Sequence, residues 1–201
     1  MAEPAYALPT PAEQDWPEQG SWTWDDYLRL PDDGNRYEII RGNLYVSPAP
    51  VIAHQFIVAA LIRHLGNFAS GPGKGLVLGA PLDVLLPGIA SPIQPDVVFF
   101  LPGNLPDLSG KNFEGVPDVV VEVLSPGTSR EDRSVKFAAY EDAGVAELWL
   151  ADPQTGTISV YGPDAGGRYR ELGRFKKSQR LRSRVIEGFE LDLDEVFPVE
   201  H

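Results

Sequence analysis

The chain of 201 residues is 43% hydrophobic and carries 17 basic against 29 acidic side chains, a net charge of −12 at pH 7. That suits one globular core and gives no case for two domains. No apolar run reaches the ~18 residues of a spanning helix, and the acidic, Pro-rich start MAEPAYALPTPAEQ is no secretory leader, so a soluble, cytoplasmic protein without membrane contact is expected.

The lack of cysteine excludes disulfides and thiolate metal sites. His54, His64 and His201 are too few and too scattered for a zinc site. Residues 1–20 read as a disordered tail, rich in Pro, Ala and Glu without periodicity, and residues 21–201 as a single domain. Ser21 or Thr23 caps a short helix through Trp24, Tyr27 and Leu28, closed by Pro31-Asp32-Asp33-Gly34. RYEII, from Arg36, and NLYV, from Asn43, flank Arg41-Gly42 and predict a hairpin. Glu38 alternates with Tyr37 and Ile39, so it is solvated or turned toward a site, and solvation is the commoner state of a lone Glu.

Ile52 to Ala69 gives the strongest helical pattern, with Phe56, Ile57, Ala60, Leu61, Leu65 and Phe68 forming a broad apolar stripe. For His54 and His64, flanking it, a structural role outweighs a catalytic one. The Gly-rich loop from Ser70 to Gly75 lacks the ending of a phosphate-binding P-loop. LVLGAPLDVLL, Leu76 to Leu86, reads as a strand broken at Gly79 to Pro81, with Asp83 inside an apolar run. QPDVVFFL, Gln94 to Leu101, reads as a buried strand opened by Pro95-Asp96. A polar loop leads from Pro102 to Pro117.

The stretch from Pro117 to Asp152 organises the rest. Val119, Val120, Val121, Val123 and Leu124 form the β-branched run of a strand buried on both faces, and Glu122 lies inside it. An ionised Glu there is costly unless it is paired or holds a metal. Ser125 to Thr128 make a turn, Ser129 is the N-cap, and Glu131 and Asp132 place acid in the first turn of a helix that Gly144 stops. AELWLA then returns as a second buried strand. From Glu122 to Ser125 the chain climbs roughly 10 Å, and a helix descends about as far between Ser129 and Lys136. Lys136 therefore lies level with Glu122, either as its ion pair or as half of a site for phosphate chemistry.

Beyond TISVY, from Thr157, a basic stretch holds Arg168, Arg170, Arg174, Lys176, Lys177, Arg180, Arg182 and Arg184 against Glu171 alone. Its local balance of +7 leaves the rest of the chain at −19 against the total of −12. Such a stripe either grips a nucleic-acid backbone or is the solvated face of a hairpin. GFELDLDEVF alternates as a last strand. The elements give an α/β or α+β domain with a mixed central sheet flanked by helices, preceded by a short helix and hairpin as an N-terminal extension.

Asp118 shares a strand face with Glu122, their backbones about 13 Å apart, too far to share one ion. Asp96 on a separate strand has no such bar, so Asp96 and Glu122 are the expected metal pair, with Asp83 as a third ligand or a supporting group. Two oxygen ligands suit Mg2+ or Mn2+, and the fitting chemistry is phosphodiester hydrolysis, with Lys136 orienting water or offsetting transition-state charge.

QPDVVFF with Asp96, PDVVVEVLSP with Glu122, KFAAYEDAGV with Lys136 and the following ELWLADP resemble the Uma2 family of restriction endonucleases, within the PD-(D/E)XK nuclease superfamily. RYEIIRGNLYVSPAP, His54 and GFELDLDEVF extend the likeness from about Trp22 to Phe197. The resemblance implies a restriction-endonuclease-like core, DNA as partner, a metal on Asp96 and Glu122, and Glu38, His54, Asp83 and Gln94 at or near the site. The superfamily lysine normally follows the glutamate by two residues, where this chain has Leu124; the resemblance to members with a relocated lysine assigns the role to Lys136. The expected function is a metal-dependent DNA endonuclease, with Glu38 or Asp83 assisting and Arg168, Arg170, Arg174, Lys176, Lys177 and Arg180 on nucleic acid. The alternative is a catalytically weak or inactive nucleic-acid-binding module. A homodimer would suit a double-strand cutter.

Overall fold

A computed structural model of the protein describes residues 15–125 and 130–197. Most of the expected tail, the turn at 126–128 and the cap at Ser129 lie outside them. The elements in order are α1 (Trp24–Tyr27), β1 (Arg36–Ile40), β2 (Asn43–Ser47), α2 (Ile52–Ala69), β3 (Leu76–Gly79), β4 (Val84–Leu86), β5 (Ala90–Ile93), β6 (Val97–Phe100) and β7 (Phe113–Glu114). Then come β8 (Val119–Val123), α3 (Arg130–Ala143), β9 (Glu147–Asp152), β10 (Thr157–Pro163), β11 (Tyr169–Lys176), β12 (Arg180–Arg182) and β13 (Glu190–Asp192).

The central sheet has six strands in the order β11-β10-β9-β8-β6-β3, and only β8 and β9 run parallel. A parallel pair needs a crossover, which α3 supplies. Gly144 ends α3 at φ +81, where a side chain would be strained, and Val145 N–H closes the turn on Tyr140 O. The strands alternate faces. Val119, Val121, Val123, Trp149 and Ala151 pack with Ile57, Leu61 and Leu65 of α2 and with Leu181, Phe189 and Leu191 of the C-terminal segment. On the other face Val120 and Leu148 pack with Ala139 and Tyr140 of α3 and with Ile40, Val84, Leu86 and Ile93 of a five-stranded sheet, β2-β1-β5-β4-β7. Each fully buried Val or Leu contributes about 1.5–3 kcal/mol, so both faces are strongly held.

Several elements differ from expectation. Leu76 to Leu86 is two strands in two sheets, because β3 pairs with β6 and β4 with β5. Two short strands, β5 and β7, were not anticipated. Among the described residues the expected N-terminal helix-hairpin extension is not evident: α1 is only four residues long, and the β1–β2 hairpin is built into the five-stranded sheet through Ile40 and Ala90. Part of the expected tail is fixed as well. Trp16 stacks on Trp22 with centroids 5.4 Å apart, Gln19 exchanges hydrogen bonds with the backbone of Leu44, and Gly20 N–H donates to Gly42 O. Gly42 has φ +73, and a Cβ there would meet Gly20 O at 2.4 Å, so glycine is required for this closure. Among the described residues no helix is long and apolar enough to cross a membrane.

Candidate active site

Glu38, Asp96, Glu122 and Lys136, four of the charged residues that sequence reasoning selected, meet where β1, β6, β8 and α3 converge. β6 pairs antiparallel with β8, Val97 against Val121, and continuing that register by one residue sets Asp96 opposite Glu122. From α3, the Lys136 ammonium reaches Glu122 Oε1 at 2.7 Å and Glu38 Oε1 of β1 at 3.1 Å. It also faces the Gln94 carbonyl at 3.4 Å. Lys136 and Glu122, expected at one level, are thus in contact. Glu38, which its alternation left as solvated or site-facing, is buried and accepts from Gln94 N–H at 2.6 Å. Lys136 bridges two carboxylates.

Asp96 is 2% exposed and receives three donors. Arg36 Nη1 donates to Oδ1 at 2.9 Å, while Val123 N–H at 2.8 Å and His54 Nε2 at 3.1 Å share Oδ2. Burial by itself would raise this carboxyl, but the His54 hydrogen bond and the Arg36 charge outweigh it and hold Asp96 well below the ordinary carboxylate range. Glu122 goes the other way. Burial, with Asp96 and Glu38 adding negative charge nearby, pushes it up to about 7 although Lys136 pulls it down. Lys136 loses solvation too, and Glu122, Glu38 and Asp96 more than compensate, so its ammonium is held above the ordinary lysine value. Two carboxylates with acidities driven apart are the pattern of a site in which each has its own task.

The supporting residues form a ring around Gln94. Its side chain donates to Asp83 Oδ1 at 2.7 Å and to Tyr27 Oη at 3.1 Å, and Tyr27 donates to the same Asp83 oxygen at 2.9 Å. Asp83 is thereby one residue removed from Lys136, engaged by Tyr27 and Gln94. Asp118 accepts from Leu101 N–H at 2.8 Å and Asn104 at 3.0 Å. His54 is buried, and its Nδ1 has no partner among the described residues.

Residues 24–194 match the Uma2 family, described as putative restriction endonuclease. The chain belongs to this family. A crystal structure of a putative nuclease of the DUF820 group from Anabaena variabilis is similar over 88% of this chain and 97% of its own, with TM-score 0.73 and 20% sequence identity. At that identity the likeness speaks for the fold. No curated protein matches the chain.

No group of three or more His, Asp or Glu stands together in a metal-holding arrangement among the described residues. Among the described residues, Asp96 and Glu122 are therefore the pair to weigh as ligands. Hydrogen bonds occupy three of the roughly four lone-pair directions of Asp96, which leaves one. Glu122 has Lys136 and the Tyr140 hydroxyl, at 2.6 Å, both on Oε1. Two hard oxygen donors of this kind would fit Mg2+ or Mn2+.

Sequence reasoning missed Arg36, Tyr140 and Tyr27. Tyr140 stands four residues from Lys136, one helical turn along the same face, and that spacing was the available signal. The basic stretch is spread over β11, at the edge of the central sheet, and β12, in a separate pair with β13. Arg168 pairs with Glu141 and Asp142, Arg174 with Glu171, Arg180 with Glu190 and Asp192, and Arg182 with Glu190. Arg170 and Lys176 carry no ion pair with a described residue. Apart from Glu141, which is buried, these pairs are exposed, so they lower the positive potential without much effect on stability.

Proposed function

We propose that the protein is a metal-dependent DNA endonuclease that hydrolyses phosphodiester bonds at the Asp96–Glu122–Lys136 cluster. The observation that carries the reading is the buried bridge from Lys136 to both Glu122 and Glu38, level with Asp96. Membership of a restriction-endonuclease family supports the same chemistry.

Asp96 and Glu122 would hold the cation, which supplies a nucleophilic water at neutral pH and offsets charge on the phosphate. The chain's own residues do the rest. Lys136 turns Oε1 of Glu122 toward itself, fixes Glu38, and keeps positive charge beside the reacting centre. His54 and Val123 N–H orient Asp96, and Tyr140 pins Glu122. Glu38 and Asp83 assist by holding Lys136 and Gln94. Arg170 and Lys176 add sequence-independent contacts to the nucleic-acid backbone, and a homodimer would address both strands.

One observation favours the second reading, a nucleic-acid-binding module without hydrolysis: the Arg36–Asp96 ion pair already neutralises one of the two proposed ligands. Supercoiled plasmid separates the two. With Mg2+ or Mn2+ the intact protein should nick it, and both chelator and Asp96→Asn should abolish nicking. Binding that persists in chelator without any cleavage would replace the nuclease by the binding module.

A further inference from the structure

Two cations stand at the cluster, and they differ in what they have left to give. The Lys136 ammonium carries three N–H donors. Three acceptors face it within the protein, Glu122 Oε1 at 2.7 Å, Glu38 Oε1 at 3.1 Å and Gln94 O at 3.4 Å. Nothing remains for a substrate. Arg36 has five donors in a rigid fork, and both of its hydrogen bonds leave from Nη1, to Asp96 Oδ1 at 2.9 Å and Gln94 O at 3.3 Å. Its Nε and Nη2 donate to no described residue, and the side chain keeps 22% of its surface exposed while Asp96 keeps 2%.

We propose that Arg36 is a further catalytic residue: the free Nε and Nη2 edge of its guanidinium holds two non-bridging oxygens of the phosphodiester while Nη1 stays on Asp96. The inference rests on the nuclease reading and names the side chain that touches its substrate. An arginine edge matches a phosphate in parallel, two-bond geometry, which an ammonium cannot reproduce. Charge favours such a group. Asp96, Glu122 and Glu38 place three carboxylates around the reacting centre, and a cationic donor with a free edge beside them offsets part of the repulsion that an anionic substrate meets there. The larger basic stretch lies on other strands, with four of its arginines already paired to acids.

The test measures affinity for a short fluorescent DNA duplex in chelator, by anisotropy, for the intact protein, Arg36→Lys and Arg36→Gln. Both variants should bind about tenfold more weakly, and Arg36→Gln should lower the slope of log affinity against log salt by about one phosphate contact. A residue that merely supports Asp96 would not move that slope. Thermal melting checks that the variants fold. If they do not, the Arg36 Nε–H resonance of the intact protein should shift saturably with dimethyl phosphate. Variants that bind like the intact protein, or a resonance that stays in place, would overturn the role of Arg36 and leave the nuclease reading standing. An intact protein that neither binds nor cleaves DNA would overturn both.

Discussion

Glu122 and Glu147 lie in adjacent parallel strands, β8 and β9, and burial raises the pKa of each, yet they are built for different ends. Glu147 is fully buried on the face covered by the C-terminal segment. It accepts from the Ser183 hydroxyl and from Arg184 N–H at 3.2 Å, and Ser183 Oγ in turn caps Ile186 N–H at 2.8 Å. Its donors are neutral and come from one turn, so it ties that turn to a strand. Glu122 faces α3, shares one ammonium with Glu38, and feels the charge of Asp96. Burial marks both residues. Coupling to other charges marks only one, and that coupling separates a site from a latch.

The largest effect that would sharpen this contrast is expected at Lys136. Lys136→Met leaves Glu122 and Glu38 buried without their cation and should destabilise the protein by about 3–5 kcal/mol in urea unfolding. A loss near zero would mean that the cluster is not coupled through Lys136. Next comes pH. The folded protein holds the Glu122 proton up to about 7, whereas the unfolded chain releases it near the ordinary 4.5. This contribution to stability is therefore fully present below 4.5 and is lost as pH rises through 7. At most it amounts to about 3 kcal/mol, and Glu122→Gln should flatten that part of the pH-stability curve. An unchanged curve would assign the titration elsewhere, Glu147 being the first candidate. Smaller again, Glu147→Ala strands the Ser183 and Arg184 donors and should cost about 2 kcal/mol. Nicking per folded molecule should stay as it is. Lost cleavage at full folding would break the distinction between the two glutamates.

Much of this was legible in the sequence where one element decides the outcome. Helix α2 has the predicted bounds and buries Ile57, Ala60, Leu61 and Leu65 as expected, but Phe56 of the predicted stripe is exposed and Val58 and His54 are buried instead. Arg41-Gly42 makes the predicted hairpin turn at φ 51 and 73. Rise per residue in a strand and in a helix sufficed to bring Lys136 to Glu122. What stayed hidden depends on partners distant in the chain. The AELWLA strand carries Glu147 under the same reasoning that singled out Glu122, but the donors that satisfy it arrive some thirty-six residues later, from Ser183 onward. Arg36 opens a strand and looks ordinary until Asp96, sixty residues away, meets its Nη1. The +7 of the basic stretch is correct as a count, yet counting shows neither the division between two sheets nor the acids Glu141, Asp142, Glu190 and Asp192 that answer it. β5 eluded the pattern because Pro92 lies inside it, a residue that argues against a strand.

The most direct measurement is nicking of supercoiled plasmid in Mg2+ and in Mn2+ by the intact protein, Glu122→Gln and Glu147→Gln, purified in parallel and matched for folded fraction. Cleavage by the intact protein and by Glu147→Gln, with Glu122→Gln reduced more than about 100-fold, is the predicted result. Cleavage that survives in Glu122→Gln, or that fails equally in both variants, would contradict the assignment of the site.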